Sequence, residues 1–155
     1  MLGGVTMLPA TSSSTRWRER FASPSVHWLA LLGLCAAYLQ GGLQKAWDIP
    51  GAIAETAHFG LSPAGPVTFA VIVLELGASL AILTGRGRWV GALLLAAFTL
   101  AATFMANRFW AVPAADRFGV TNAFFEHLGL VGGFLLVAWH DLRDRVAPFS
   151  SSAGY

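Results

Sequence analysis

Of the 155 residues, 55% are hydrophobic and only 12% charged, and the mean hydropathy is +0.61, more apolar side chain than one soluble core of this length requires. The net charge of +2 is small and the arginines cluster at the ends of apolar runs, which excludes an extended basic surface for nucleic acid. Cys35 is the only cysteine and lies inside an apolar run, so an internal disulfide, a CxxC redox pair and a multi-cysteine metal site are excluded as well.

The chain opens with a small and polar stretch (MLGGVTMLPATSSST) followed by the basic segment RWRER. Residues 1–20 read as a disordered basic leader and not as a signal peptide, because the apolar run that follows is long and continues as helix. Four runs then approach membrane-spanning length: 27–44, 66–83, 89–106 and 123–139. At a rise of about 1.5 Å per residue each covers most of a hydrocarbon layer about 30 Å thick. The expected fold is therefore all-α, an antiparallel bundle of four transmembrane helices spanning 21–145, with 146–155 as a flexible C-terminal tail.

The connections are unequal. Between the first two spans, Asp48-Ile49-Pro50 followed by GAIAETAHFG predicts a short helix lying on the outer membrane surface, with Pro50 in its first turn and Gly60 at its end. Only GRGR separates spans two and three, which forces a tight antiparallel hairpin. The connection 108–121 carries Phe109, Trp110 and Phe118 and is expected to dip into the membrane interface.

Positive charge sets the orientation. Arg16, Arg18, Arg20, Arg86, Arg88, Arg143 and Arg145 fall on one side, against Lys45, Arg108 and Arg117 on the other. Seven against three predicts that both termini are cytoplasmic. Trp17, Trp28, Trp89 and Trp139 lie at the inner boundary so defined, and Trp47 and Trp110 at the outer one, where amphipathic rings settle.

The polar residues of the spans gather in the outer half. Glu75 sits near the middle of PVTFAVIVLELGASLAIL, where a carboxylate costs on the order of 3 kcal/mol unless it meets a partner or water. Gln40, Gln44 and Lys45 close span one, Asn107 and Arg108 end span three, and Glu126 and His127 open span four. Helical periodicity puts Gln40 and Gln44 on one face, Glu75 with Ala78 and Ser79, and Thr99, Thr103 and Asn107 on one stripe. Small residues at four-residue spacing, Gly33, Ala37 and Gly41 in span one and Gly129 and Gly133 in span four, mark the faces expected to pack inward. One polar pocket open to the outer side is the resulting expectation, with the charges of Lys45 and Arg108 balanced by Glu75 and Glu126. Structural ion pairs that lock the bundle, with Lys45 and Arg108 snorkelling to the interface, would use the same residues. Haem held by His27 and His140 is disfavoured, because all four histidines lie at or near boundaries where water satisfies them. No metal site is expected.

YLQGGLQKAWD, the short surface helix, LELGASLAILTGRGRW, MANRFW and NAFFEHLGLVGGFLLVAW together resemble the DoxX-like family of small four-helix bacterial membrane proteins, over residues 28–145. The resemblance implies a multi-pass protein of the bacterial inner membrane. Members of that family include a quinone-linked thiosulfate oxidoreductase subunit and a membrane partner of redox-defence proteins. Its polar positions correspond here to Gln40, Gly41, Lys45, Glu75, Asn107, Arg108, Phe125 and Glu126. The expected role is a membrane subunit or anchor of a redox system, at most one subunit of a quinone-linked oxidoreductase, embedded in the lipid bilayer with a protein partner. Self-association is left open. In this role Glu75 and Glu126 exchange protons, while Gln40, Gln44, Lys45, Asn107, Arg108 and His127 bind carbonyl or oxyanion groups of a quinone-type molecule. The chain supplies no intrinsic cofactor, so electrons would come from a flavin, metal or thiol partner. A non-enzymatic assembly subunit and a small proton-coupled transporter are the alternatives.

Topology is directly testable once Cys35 is replaced. Single cysteines placed in 47–66 or 108–121 should react with an impermeant thiol reagent applied to intact cells, and one beside Arg86 should not. Labelling beside Arg86 from outside would refute the four-span arrangement.

Overall fold

The computed structural model describes residues 13–150, with side chains over 17–146. Six helices run in order: α1 (Ser13–Phe21), α2 (Pro24–Trp47), α3 (Ile49–His58), α4 (Ala64–Thr84), α5 (Arg88–Ala106) and α6 (Ala114–Ser150). Four of them, α2, α4, α5 and α6, are long and apolar enough to cross a membrane. The all-helical four-span bundle expected from the sequence is the fold observed.

The element boundaries follow from capping chemistry. Ser23 Oγ accepts from the backbone N–H of Val26 at the start of α2, with Pro24 in the first turn. Asp48 ends α2 and begins α3 at once: its backbone N–H returns to the Gln44 carbonyl, and its Oδ1 accepts from Gly51 N–H at 3.0 Å. One residue thus turns the chain from a membrane span into a surface helix. At the opposite end of the bundle, Gly85 at φ 77° and Gly87 at φ 71° make the α4–α5 hairpin, a conformation side chains with Cβ rarely adopt. Gly87 offers α5 no capping side chain, and Asp141 of α6 supplies one by accepting from Trp89 N–H at 3.2 Å. We refer to the two ends as the pocket end, where α2 meets α3, and the hairpin end.

Three boundaries differ from the sequence reading. Residues 13–20 of the expected leader are helical in α1, and residues 1–12 lie outside the described residues. Residues 114–121, read as connection, form the first turns of α6, since Pro113 suits the entry to a helix and Asp116 favours its positive end. Beyond 145 the helix continues to Ser150, and residues 151–155 lie outside the described residues.

Packing runs α2 against α4, α4 against α5, and α5 against α6, with α3 laid over α4. Thr56 on α3 and Thr68 on α4 join through their hydroxyls at 2.7 Å. The circle closes sparsely between α2 and α6, through Leu34 facing Gly133 and an edge-on contact of Tyr38 with Phe134. The fully buried core holds Ile82, Leu95, Ala92 and Phe134.

Of the glycines the spacing pattern picked out, Gly133 sits against Leu34 and Gly41 beside Lys45, but the closest helix approaches are at other glycines. Gly33 and Gly129 face open space, whereas a Cβ at Gly42 would lie 2.8 Å from the Leu76 side chain and one at Gly91 would lie 2.6 Å from the Ala78 carbonyl oxygen. Spacing marks a face; which glycine sits at the crossing depends on crossing geometry. Gly91→Ala should therefore lower stability by about 1–3 kcal/mol through overpacking. Gly77→Ala, with nothing within 4 Å of the new methyl, should hold or raise the melting temperature in detergent.

Candidate functional site

Glu75 lies midway along α4 and is only 5% exposed. Its face turns inward with Thr68, Ile72, Ala78, Ser79 and Ile82, all of them buried. Lys45 comes from the last turn of α2. Helical side chains lean toward the helix N-terminus, so the lysine stem runs back from the boundary into the bundle. Its ammonium reaches both carboxylate oxygens of Glu75 at 3.1 Å. Gly41, one turn earlier, lies beside the pair: a Cβ there would sit 3.4 Å from Lys45 Nζ and 3.8 Å from Glu75 Oε2, ordinary contact distances.

In front of this pair lies a cavity of about 470 Å³, walled by Gln40, Gly41, Gln44 and Lys45 of α2, by Asp48 at the corner, and by Gly51, Ala52 and Glu55 of α3. The Gln40 amide donates to Gln44 Oε1 at 2.7 Å, which orients both amides along one wall. Lys45 is common to the cavity wall and the ion pair, so it couples solvent in the cavity to the carboxylate behind it.

The expected single pocket is thus divided. Gln40, Gln44, Lys45 and Glu75 come together, but no residue of α5 or α6 walls the cavity. Asn107 meets His127 instead, at 3.4 Å, and His127 Nδ1 lies 2.6 Å from the Ala123 carbonyl oxygen, which marks that nitrogen as the protonated one. Arg108 and Glu126 are exposed and make no ion pair among the described residues. The division has a packing cause: α6 leans on α5 and barely touches α2, while α3 folds over the end of α2 and α4 and becomes the missing wall. Asp48, Gly51, Ala52 and Glu55 escaped the sequence reading. Their spacing of three, four and seven puts them on one helical face, yet Asp48 reads first as a helix cap.

Deeper in the bundle the polar set continues. The Tyr38 hydroxyl meets Thr99 Oγ1, which donates onward to the Leu95 carbonyl at 2.6 Å. Ser79 and Thr103 are completely buried, Ser79 beside the Cys35 thiol toward the hairpin end and Thr103 near the pocket end of α5. Among the described residues no group of histidine, cysteine and carboxylate side chains could hold a metal ion.

A DoxX family model matches residues 27–108. The chain belongs to the DoxX family. The match runs from α2 through α5 and so contains both Lys45 and Glu75, together with the α3 wall of the cavity. It ends at Arg108, before the helix carrying Glu126 and His127. No match was found among curated proteins or among solved structures. Membership and four apolar helices make this an integral, multi-pass membrane protein.

The ion pair has a stability signature. Lys45→Met strands a carboxylate among apolar side chains and should cost about 3 kcal/mol, whereas Lys45→Met combined with Glu75→Leu should recover most of it. The check is a double-mutant cycle on thermal unfolding in detergent; additive losses would show that the two groups do not depend on each other.

Proposed function

We propose that this DoxX-family protein is an inner-membrane subunit of a redox system that holds the polar head of a quinone-type molecule in the cavity in front of Lys45 and Glu75. The observation carrying this reading is the buried carboxylate itself: it sits in the membrane core with one counter-charge, and that counter-charge lines the cavity. A pocket of this size suits a single ring, with polar groups placed to fix its orientation. A quinone becomes a quinol by taking up two electrons and two protons, and a flavin-, metal- or thiol-bearing partner must supply the electrons. The chain's own residues would do the rest. The amides of Gln40 and Gln44 and the ammonium of Lys45 donate to carbonyl oxygens, and Glu75, desolvated and within reach of Lys45, exchanges a proton.

By the distribution of arginine and lysine, both termini face the cytoplasm and the pocket end faces outward. Glu126, Arg108, Asn107 and His127 take no part in this site. An accessory role without chemistry is favoured by a different feature of the same pair: Lys45 satisfies both oxygens of Glu75 symmetrically, as a structural lock would. A through-membrane transporter is opposed by the apolar side chains that fill the hairpin end of the core.

Glu75→Gln separates the readings, since glutamine keeps size and hydrogen bonding but cannot ionise. Proton exchange predicts a normal melting temperature with loss of quinone-dependent activity. A lock predicts a lower melting temperature, because Lys45 loses its full counter-charge. Normal melting together with normal activity would sink both.

A further inference from the structure

We propose that the cavity is charge-selective: it admits uncharged carbonyl-bearing head groups and excludes anions, and Asp48 and Glu55 are the residues that set this preference. Lys45 is the only cation in the cavity wall, and its charge is already committed. Its ammonium meets both oxygens of Glu75 at 3.1 Å, and Glu75 is only 5% exposed. An anion that took Lys45 for itself would leave that carboxylate buried without a counter-charge, which is the unfavourable half of breaking a buried pair. Anion binding therefore works against the bundle.

What remains facing the cavity is negative. Asp48 stands at the corner and Glu55 two turns further along α3; both are exposed, and neither has an ion-pair partner among the described residues. Asp48 Oδ1 accepts from Gly51 N–H at 3.0 Å, so the positive end of α3 offsets part of its charge. The negative end of α2 terminates at the same residue and opposes that offset. With Lys45 and Glu75 cancelling each other, the carboxylates of Asp48 and Glu55 are left uncompensated. A cleft with low-dielectric walls focuses such a field and changes the local concentration of an ion by about tenfold or more.

The remaining donors are the amides of Gln40 and Gln44, which can serve a neutral carbonyl oxygen without disturbing the ion pair. An oxyanion, which the sequence alone allowed, is rejected. This inference rests on the site reading for the identity of the ligand only; the selectivity is measured without a quinone, so the two can fail separately.

In a Cys35→Ala background, Gln44→Cys places a thiol on the cavity wall. Its reaction rates with a trimethylammonium and a sulfonate methanethiosulfonate are compared in non-ionic detergent at low salt, each relative to the rate of the same reagent with free mercaptoethanol. The cation should be favoured about tenfold or more, and adding Asp48→Asn and Glu55→Gln should bring the preference below about threefold. Asparagine caps a helix as aspartate does, so the charge is removed while α3 is kept. Equal rates for the two reagents would overturn the proposal, and so would a preference that survives both substitutions. A thiol that reacts with neither reagent would overturn it as well, because the cavity would then be closed to ions of either sign. A second comparison uses duroquinone and a benzoquinone sulfonate, with binding followed by calorimetry on the Cys35→Ala protein. Duroquinone should bind with or without the two carboxylates, and the sulfonate should gain about tenfold in affinity when they are removed. Failure of duroquinone to bind, with the thiol preference intact, would remove the quinone reading and leave the selectivity standing.

Discussion

The ion pair between Lys45 and Glu75 is the constraint around which the bundle is arranged. A carboxylate in the middle of an apolar span needs a counter-charge or water within reach, and among the described residues the side chain that meets it as a counter-charge is a lysine rooted at the membrane boundary. The reach of the lysine sets the register of α2 against α4. Gly42, three residues before Lys45, must be without a side chain for the helices to approach, since a Cβ there would lie 2.8 Å from the Leu76 side chain. The lysine and this glycine lie within one turn of the same helix, which ties the site to the packing directly.

Placing the charge pair at an edge of the core, and not at its centre, lets the two halves of the bundle differ. Toward the pocket end polar groups have water, the cavity and α3 to meet. Toward the hairpin end the helices are joined by a two-glycine turn and by Asp141 capping α5, so polar groups of the backbone are satisfied locally and the side chains between them can be wholly apolar. Asp141 also accepts from Arg145 at 3.0 Å, which holds the cap in place outside the hydrocarbon.

Buried polar pairs of this kind contribute less to stability than to specificity, because the cost of desolvating two charges cancels most of their attraction. Here the specificity is positional. A shift of α2 by one turn would carry Lys45 away from Glu75, so alternative registers are penalised heavily even though the native one gains little. The hydroxyls of Tyr38 and Thr99 act in the same sense between α2 and α5.

The sequence by itself determined the spans, the hairpin, the surface helix and the anomalous glutamate, because each depends on local properties: length of apolar runs, helix-capping residues, and the energy of one charge in hydrocarbon. It also identified Lys45 and the two glutamines by depth alone, since depth follows from counting residues along a helix. Lateral neighbours are another matter. Asn107, Arg108, Glu126 and His127 share the depth of Lys45, yet the first two follow the end of α5 and the others lie on α6, and all four stand apart from the cavity. Only the tertiary structure decided that α3 would close the cavity and that Gly42 and Gly91 and not Gly33 and Gly129 would sit at helix crossings. Those outcomes depend on the angles at which four similar helices cross. Apolar periodicity shows which side of a helix turns inward and is silent about which helix it meets.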